Sequence, residues 1–136
     1  MPDTVTLEII TPDGAVYSQD VDLVTLPALD GQIGVFAHHV PLLTELVPGE
    51  MIVRQGGQET FIAVGEGMVL ITGERISIAT DMAVAADNID EARAEEARQR
   101  AAARLRDKIS DEEVAAVNAA LARSLAQLKV KRHRRI

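Results

Sequence analysis

Glycine and proline divide this chain before any other property is considered. All nine glycines and all five prolines lie at or before Gly73, and alanine takes over beyond it. Both residues punctuate turns, and both disfavour helix interiors. The first stretch therefore reads as short elements joined by turns, and the second as helix.

Hydrophobic period supports the same division. Val5, Leu7 and Ile9 alternate with Thr6 and Glu8, the pattern of a half-buried strand. Pro12-Asp13-Gly14 is a turn signal. Val21, Leu23 and Thr25 then alternate roughly with Asp20, Asp22 and Val24. Met51–Arg54 and Thr60–Val64 flank Gln55-Gly56-Gly57-Gln58, a hairpin with a two-residue turn. Gly65-Glu66-Gly67 precedes a strand at Met68–Thr72. Gly73-Glu74 precedes another, in which Ile76 and Ile78 alternate with Arg75, Ser77 and Ala79. Turns spaced about 8–12 residues apart indicate an antiparallel sandwich or barrel.

The helical part opens at Asn88-Ile89-Asp90-Glu91. There Asn88 is expected to cap and Glu91 to close a capping box, and Asp90 and Glu91 suit the positive end of the helix dipole. The helix is predicted to end at Lys108 or Ile109. Ser110-Asp111-Glu112-Glu113 repeats the signature and starts a second helix, with an apolar stripe at Val114, Val117, Leu121, Leu125 and Leu128. Ala94, Ala97, Ala101 and Leu105 of the first helix are expected to face that stripe in an antiparallel hairpin. Alanine buries little area, at about 25 cal/mol per Å². The hairpin is thus either a module that docks and can come off, or one packed permanently on the strands.

Composition narrows the function. The chain has 136 residues, 47% of them apolar, and its aromatics are Tyr17, Phe36 and Phe61, so the core is aliphatic. It has no cysteine, which excludes disulfides and thiolate metal sites. No run approaches the roughly 18 apolar residues of a membrane span. No signal or transit segment is recognised, which favours a bacterial source. The net charge of −7 is asymmetric. Residues 1–87 carry thirteen acidic and two basic side chains, net −11; residues 88–136 carry eight and twelve, net +4. The acidic part argues against nucleic acid, and the basic part suits an acidic partner. His38-His39 does not read as a metal site: adjacent residues on a strand point to opposite faces, no carboxylate pattern accompanies them, and His38 is expected to be exposed. Asp30-Gly31-Gln32-Ile33-Gly34 lacks calcium-loop spacing and reads as a turn. No nucleophile–base signature is present, so no active site and no metal are expected.

The segment Leu26–Gly49, LPALDGQIGVFAHHVPLLTELVPG, resembles the signature region of the ε subunit of F-type ATP synthases of the bacterial type. The shared positions are Gly31, Gly34, His39, Pro41, Leu42, Leu43, Pro48 and Gly49. Gly65-Glu66-Gly67, Asp81 and Ile89-Asp90-Glu91-Ala92-Arg93-Ala94 follow in the family's order, and the likeness covers essentially the whole chain.

The resemblance implies an N-terminal antiparallel β-sandwich (1–87) followed by a C-terminal antiparallel two-helix hairpin (88–136). It implies a non-catalytic central-stalk rotor subunit that couples ring rotation to ATP synthesis. Such a subunit is a peripheral membrane protein on the cytoplasmic face of the bacterial inner membrane, linked to the membrane through the complex. Gly31, Gln32, Gly34, His39, Pro41, Leu42 and Leu43 would contact the γ subunit and the c-subunit ring; many relatives carry Glu where Gln32 stands. An extended hairpin would inhibit hydrolysis, with Arg123, Lys129, Lys131, Arg132, Arg134 and Arg135 meeting the catalytic β (and α) subunits. No cofactor is required, but some members bind a regulatory ATP. Here Ile89, Asp90, Arg93, Ala94, Arg100 and Arg123 would hold it, arginine being suited to bidentate phosphate contacts. Two positions depart from that pattern: Gln127 replaces a basic residue, and Val84 stands where an acidic one is common. The rival reading is a free-standing sandwich adaptor whose helical arm binds another acidic protein.

Overall fold

A computed structural model describes residues 3–107 and 109–134. Ten strands come first: β1 (Val5–Thr11), β2 (Gly14–Val21), β3 (Leu23–Ala28), β4 (Gly31–Val35), β5 (Leu42–Leu46), β6 (Gly49–Gln55), β7 (Gln58–Val64), β8 (Gly67–Ile71), β9 (Arg75–Thr80) and β10 (Ala83–Ala85). A single 3₁₀ turn at Ala86–Asn88 leads to α1 (Glu91–Arg104) and α2 (Asp111–Arg134).

The strand order is β10-β7-β6-β3-β5-β8-β9-β1-β2, with β4 paired to β3. The joint between β3 and β5 is one residue pair, Ala28↔Leu46, so the strands fall into two layers hinged there. β1 and β9 pair in parallel, and the other described pairs are antiparallel. Between the layers lies an aliphatic core of Leu7, Ile9, Val24, Leu26, Met51, Val53, Val69, Ile71, Ile76 and Ile78, each at most 1% exposed. Gly56 (φ 59°) and Gly57 (φ 83°) form the expected β6–β7 turn, which needs positive φ at both positions.

Several sequence expectations are corrected. The alternation across residues 20–25 belongs to two strands, because β2 ends at Val21 and β3 begins at Leu23. Asp30–Gly34 is a tight turn only at its start; Gly31–Val35 is a strand, with Gly31 (φ 121°) making the reversal. His38 (φ 66°) lies in a turn, so the opposite-face argument for the His38-His39 pair does not apply. The α1 cap is Asp90, whose carboxylate accepts from the Arg93 amide, while Asn88 is spent in the 3₁₀ turn. α1 stops at Arg104, where Leu105 and Arg106 tighten into turns, short of Lys108 or Ile109; Lys108 lies outside the described residues. Ser110 does cap α2, accepting from the Glu113 amide at 3.2 Å.

The α2 stripe also shifts. Leu125 is 48% exposed, and Ser124, Ala126, Leu128 and Val130 are buried. The carboxyl half of α2 faces the sandwich as well as α1, so the buried positions follow the sheet surface. Ala126 and Val130 pack with Ala63, Ala86 and Ile89, flanked by Phe61, Met82 and Val84.

Candidate functional site: an arginine-lined cleft and an apolar sheet face

Folding the hairpin onto β6 and β7 creates a cleft of about 610 Å³. One wall is the segment around Asp81, Met82 and Val84. The start of α1 supplies Ile89, Asp90, Arg93, Ala94 and Arg100, and α2 supplies Ala120, Arg123, Ser124 and Gln127. All six residues expected to hold a nucleotide thus line one cavity: Ile89, Asp90, Arg93, Ala94, Arg100 and Arg123.

Their roles differ. Ile89 and Ala94 are buried and set the floor. Asp90 is committed to the helix cap, which fixes the first turn and hence the root of Arg93. Seven residues separate Arg93 from Arg100, two helical turns, so both rise from one face of α1. Neither guanidinium has an ion-pair partner among the described residues. Arg123 does: its Nη1 donates to Asp81 Oδ2 at 3.2 Å. Glu96 adds a third carboxylate to the lining. Gln127 points its amide at Met82 Sδ, 3.0 Å away, and adds no cation. The place of Asp81 and Glu96 in the cleft was not read from the sequence. Forty-two residues separate Asp81 from Arg123, and only the docking of α2 joins them.

The other basic residues of α2 are largely engaged within the chain. Lys131 Nζ donates to the Ala86 carbonyl at 3.2 Å, and Arg132 reaches Glu91 at 3.3 Å and Glu95 at 3.5 Å. His133 Nδ1 lies 2.7 Å from Glu50 Oε2, and its ring is 4.7 Å from that of Phe61. Lys129 is exposed. The Arg134 side chain and Arg135 lie outside the described residues. Arg98 holds the Glu95 carboxyl below the ordinary glutamate range, chiefly through its hydrogen bonds.

The residues expected at a γ and c-ring interface fall at two places. Gly31, Gln32 and Gly34 lie on the β3–β4 ribbon, whose tip meets the Leu46 end of β5, where the Leu29 amide donates to the Glu45 carbonyl. His39, Pro41 and Leu42 lie at the opposite end, beside Gly73, to whose carbonyl the His38 amide donates. His39 is half-buried, with Nδ1 2.6 Å from the Val40 carbonyl. Leu43 connects to a wider feature. It pairs with Leu70, and the neighbouring row runs Met68↔Ala79↔Ile10. Leu43 is 64% exposed, Leu70 48%, Ile10 44% and Met68 43%. The outer side of the β5-β8-β9-β1 layer therefore carries an apolar patch, bordered in the same rows by Glu45, Ser77 and Glu8, away from the helices. Adjacent apolar exposure of this kind marks an interaction surface.

Among the described residues no group of three or more His, Asp or Glu could hold a metal ion, and no helix is long and apolar enough to cross a membrane.

A two-layer sandwich with a helix pair folded onto one layer and an exposed apolar patch on the other has the build of an assembly subunit. The family model for the β-sandwich domain of the ATP synthase delta/epsilon chain matches residues 4–86, and that for its long α-helix domain matches residues 87–132. An ATP synthase epsilon chain of Herpetosiphon aurantiacus is 40% identical over 129 residues, 95% of each chain. One of Laribacter hongkongensis is 38% identical, over 93% of this chain and 91% of its own. In a structure of the Euglena gracilis mitochondrial ATP synthase (OSCP/F1/c-ring), a chain shares the fold with a TM-score of 0.77 at 22% identity, over 95% of this chain and 81% of that one. The chain belongs to the ATP synthase delta/epsilon chain family, in the epsilon form that its bacterial relatives carry.

Proposed function

We propose that this chain is a non-catalytic rotor subunit that docks on a γ-type stalk subunit and the c-ring through the outer face of its sandwich and so helps couple ring rotation to ATP synthesis. The observation that carries the reading is the apolar face of Leu43, Leu70, Met68 and Ile10, contiguous with the expected interface residues Pro41 and Leu42. These four side chains are already about half covered, so burying the rest contributes roughly 3–6 kcal/mol in all, enough to anchor docking but not to hold it without further contacts. Attachment to the cytoplasmic side of the membrane would then come through the complex. Co-purification with γ tests this. A Leu43→Glu/Leu70→Glu chain that stays folded should lose γ binding by at least about a hundredfold, two buried charges costing several kcal/mol. Undiminished binding by that variant removes the face from the interface, and failure of the unaltered chain to bind γ favours the free-standing adaptor. In the reconstituted complex, a chain ending at Asp87 should raise hydrolysis if the hairpin inhibits through Arg123, Lys129, Lys131, Arg132, Arg134 and Arg135.

A second reading concerns regulation, and the cleft favours it: three arginines line it, two of them without ion-pair partners among the described residues. The site suits a nucleoside triphosphate, with the phosphates on Arg93, Arg100 and Arg123. Calorimetric titration of the isolated chain with ATP checks it. Binding that weakens at least tenfold in Arg93→Ala and Arg100→Ala supports the site, and no heat up to millimolar ATP ends the reading.

A further inference from the structure

Asp81 stands in the cleft where an anionic ligand would have to go. Its Oδ2 accepts from Arg123 Nη1 at 3.2 Å, so one of the three guanidiniums already has a carboxylate. The placement is specific. The Asp81 amide donates to the Glu66 carbonyl, and the Gly65 amide donates to the Met82 carbonyl, so the residue is pinned to the 65–67 turn. Its side chain lies across Gly65, where a Cβ would come within 1.8 Å of Oδ1. Glycine is what lets the carboxylate lie there and reach α2. The pair is about one-third exposed on each side and joins the sandwich to the helix pair.

We propose that Asp81 is an internal competitor for Arg123, a carboxylate that occupies the arginine in the absence of ligand and sets the affinity of the cleft for polyphosphate anions. The proposal rests on the reading of the cleft as a nucleoside triphosphate site. A phosphate arriving at Arg123 exchanges one ion pair for another. Binding is weakened by the pair it must break.

The test is a double-mutant cycle on the full chain, using ATP as probe and inorganic triphosphate as a second probe without a base. Asp81→Asn keeps the shape and removes the charge. It should bind ATP about two- to fivefold more tightly, the worth of an exposed ion pair. Arg123→Gln should weaken binding, and in that background Asp81→Asn should bring no gain, because the competition acts through Arg123. A gain that survives Arg123→Gln shows a general field effect and overturns the proposal. Unchanged or weaker binding by Asp81→Asn overturns it too. Gly65→Ala, which displaces the Asp81 carboxylate without removing its charge, should also tighten binding if its circular dichroism is native. If the unaltered chain and Asp81→Asn both fail to bind, the nucleotide reading itself falls and this proposal with it. If the unaltered chain binds and Asp81→Asn does not improve it, only the role of Asp81 falls.

Discussion

Val130→Ala isolates the attachment of the helix pair from the stability of the sandwich. Val130 is fully buried, in a small cluster with Ala63, Ala86, Ile89 and Ala126, apart from the main core between the layers. Removing two methyl groups costs about 1.6 kcal/mol at about 0.8 kcal/mol per buried carbon. An uncollapsed cavity raises this to about 2.5 kcal/mol. The neighbours are mostly alanines on fixed backbone, which cannot swing in to fill the space, so the higher figure is the better guide. If the helices come off the sheet while the sandwich stays folded, amide exchange in α2 should accelerate roughly fifteen- to seventyfold. Amides of β1, β8 and β9 should be unaffected. Hydrogen exchange read by mass spectrometry on peptides from the two regions checks this. Val24→Ala, in the main core, should raise exchange in both, because α2 needs the sandwich beneath it. Equal acceleration everywhere in Val130→Ala would show that sandwich and hairpin form one cooperative unit. No change in α2 would show that this cluster does not hold the helix.

Other perturbations follow from single contacts. Gly67→Ala places a Cβ 1.9 Å from the Ala79 carbonyl oxygen, in backbone that cannot yield locally, and should lower the melting temperature of the isolated chain by an amount equivalent to about 2 kcal/mol or more. His133→Ala leaves the Glu50 carboxylate, 5% exposed, without its described partner; a loss of about 1–3 kcal/mol is expected by denaturation, and Glu50→Gln in the same chain should recover part of it. Asp90→Ala removes the α1 cap and should cost about 1 kcal/mol, read as a lower helix melting point by circular dichroism. Acid should loosen α1 through Glu95. Its folded value is lowered by Arg98 from the ordinary 4.5, so its contribution is complete above that pH and is lost as pH falls through the lowered value. Arg98→Ala should flatten the acid limb of α1 exchange, by little, because the pair is exposed.

What the sequence made legible depended on the range over which each signal acts. The β6–β7 hairpin needed only Gly56-Gly57 and its flanks, because positive φ at two successive residues is a local demand. β1, β8 and β9 were equally plain, since one of their faces is buried and the alternation is clean. β4 and β5 were missed as strands. In β5, Leu42 and Leu43 put apolar side chains on both faces, which removes the period-2 contrast, and β4 is five residues long with two glycines. Leu43, one of the two leucines that hid β5, belongs to the proposed docking face. The α1 cap was misplaced because Asn88 and Asp90 are both competent caps, and the choice fell to the 3₁₀ turn that carries the chain off β10. The exposure of Leu125 could not be read, because a helix packed on two surfaces buries positions that a single stripe does not describe. The nucleotide residues were named through family resemblance, and what brings them to one cavity is the docked position of α2.

That docking has a composition unlike the sandwich core. Its apolar part is small, mostly Ala63, Ala86, Ala126, Ile89 and Val130. Around it runs a set of polar links, Arg123 with Asp81, Lys131 with the Ala86 carbonyl and His133 with Glu50. Within the hairpin itself, Arg132 ties α2 to Glu91 and Glu95 of α1. The partly exposed Arg123–Asp81 pair is worth at most about 1 kcal/mol and weakens with salt, while the buried Glu50 makes its link to His133 the stronger one. A partner offering an acidic surface to α2 competes for the same cations that hold α2 down and would leave the sandwich core untouched. The apolar cluster then sets the cost of release, and the polar links set its sensitivity to salt and anions. The net −11 of the sandwich region and +4 of the helical region have the same meaning. Of the sandwich carboxylates, Asp81 and Glu50 are the ones seen paired with α2 among the described residues, so a competing acidic surface has few contacts to displace.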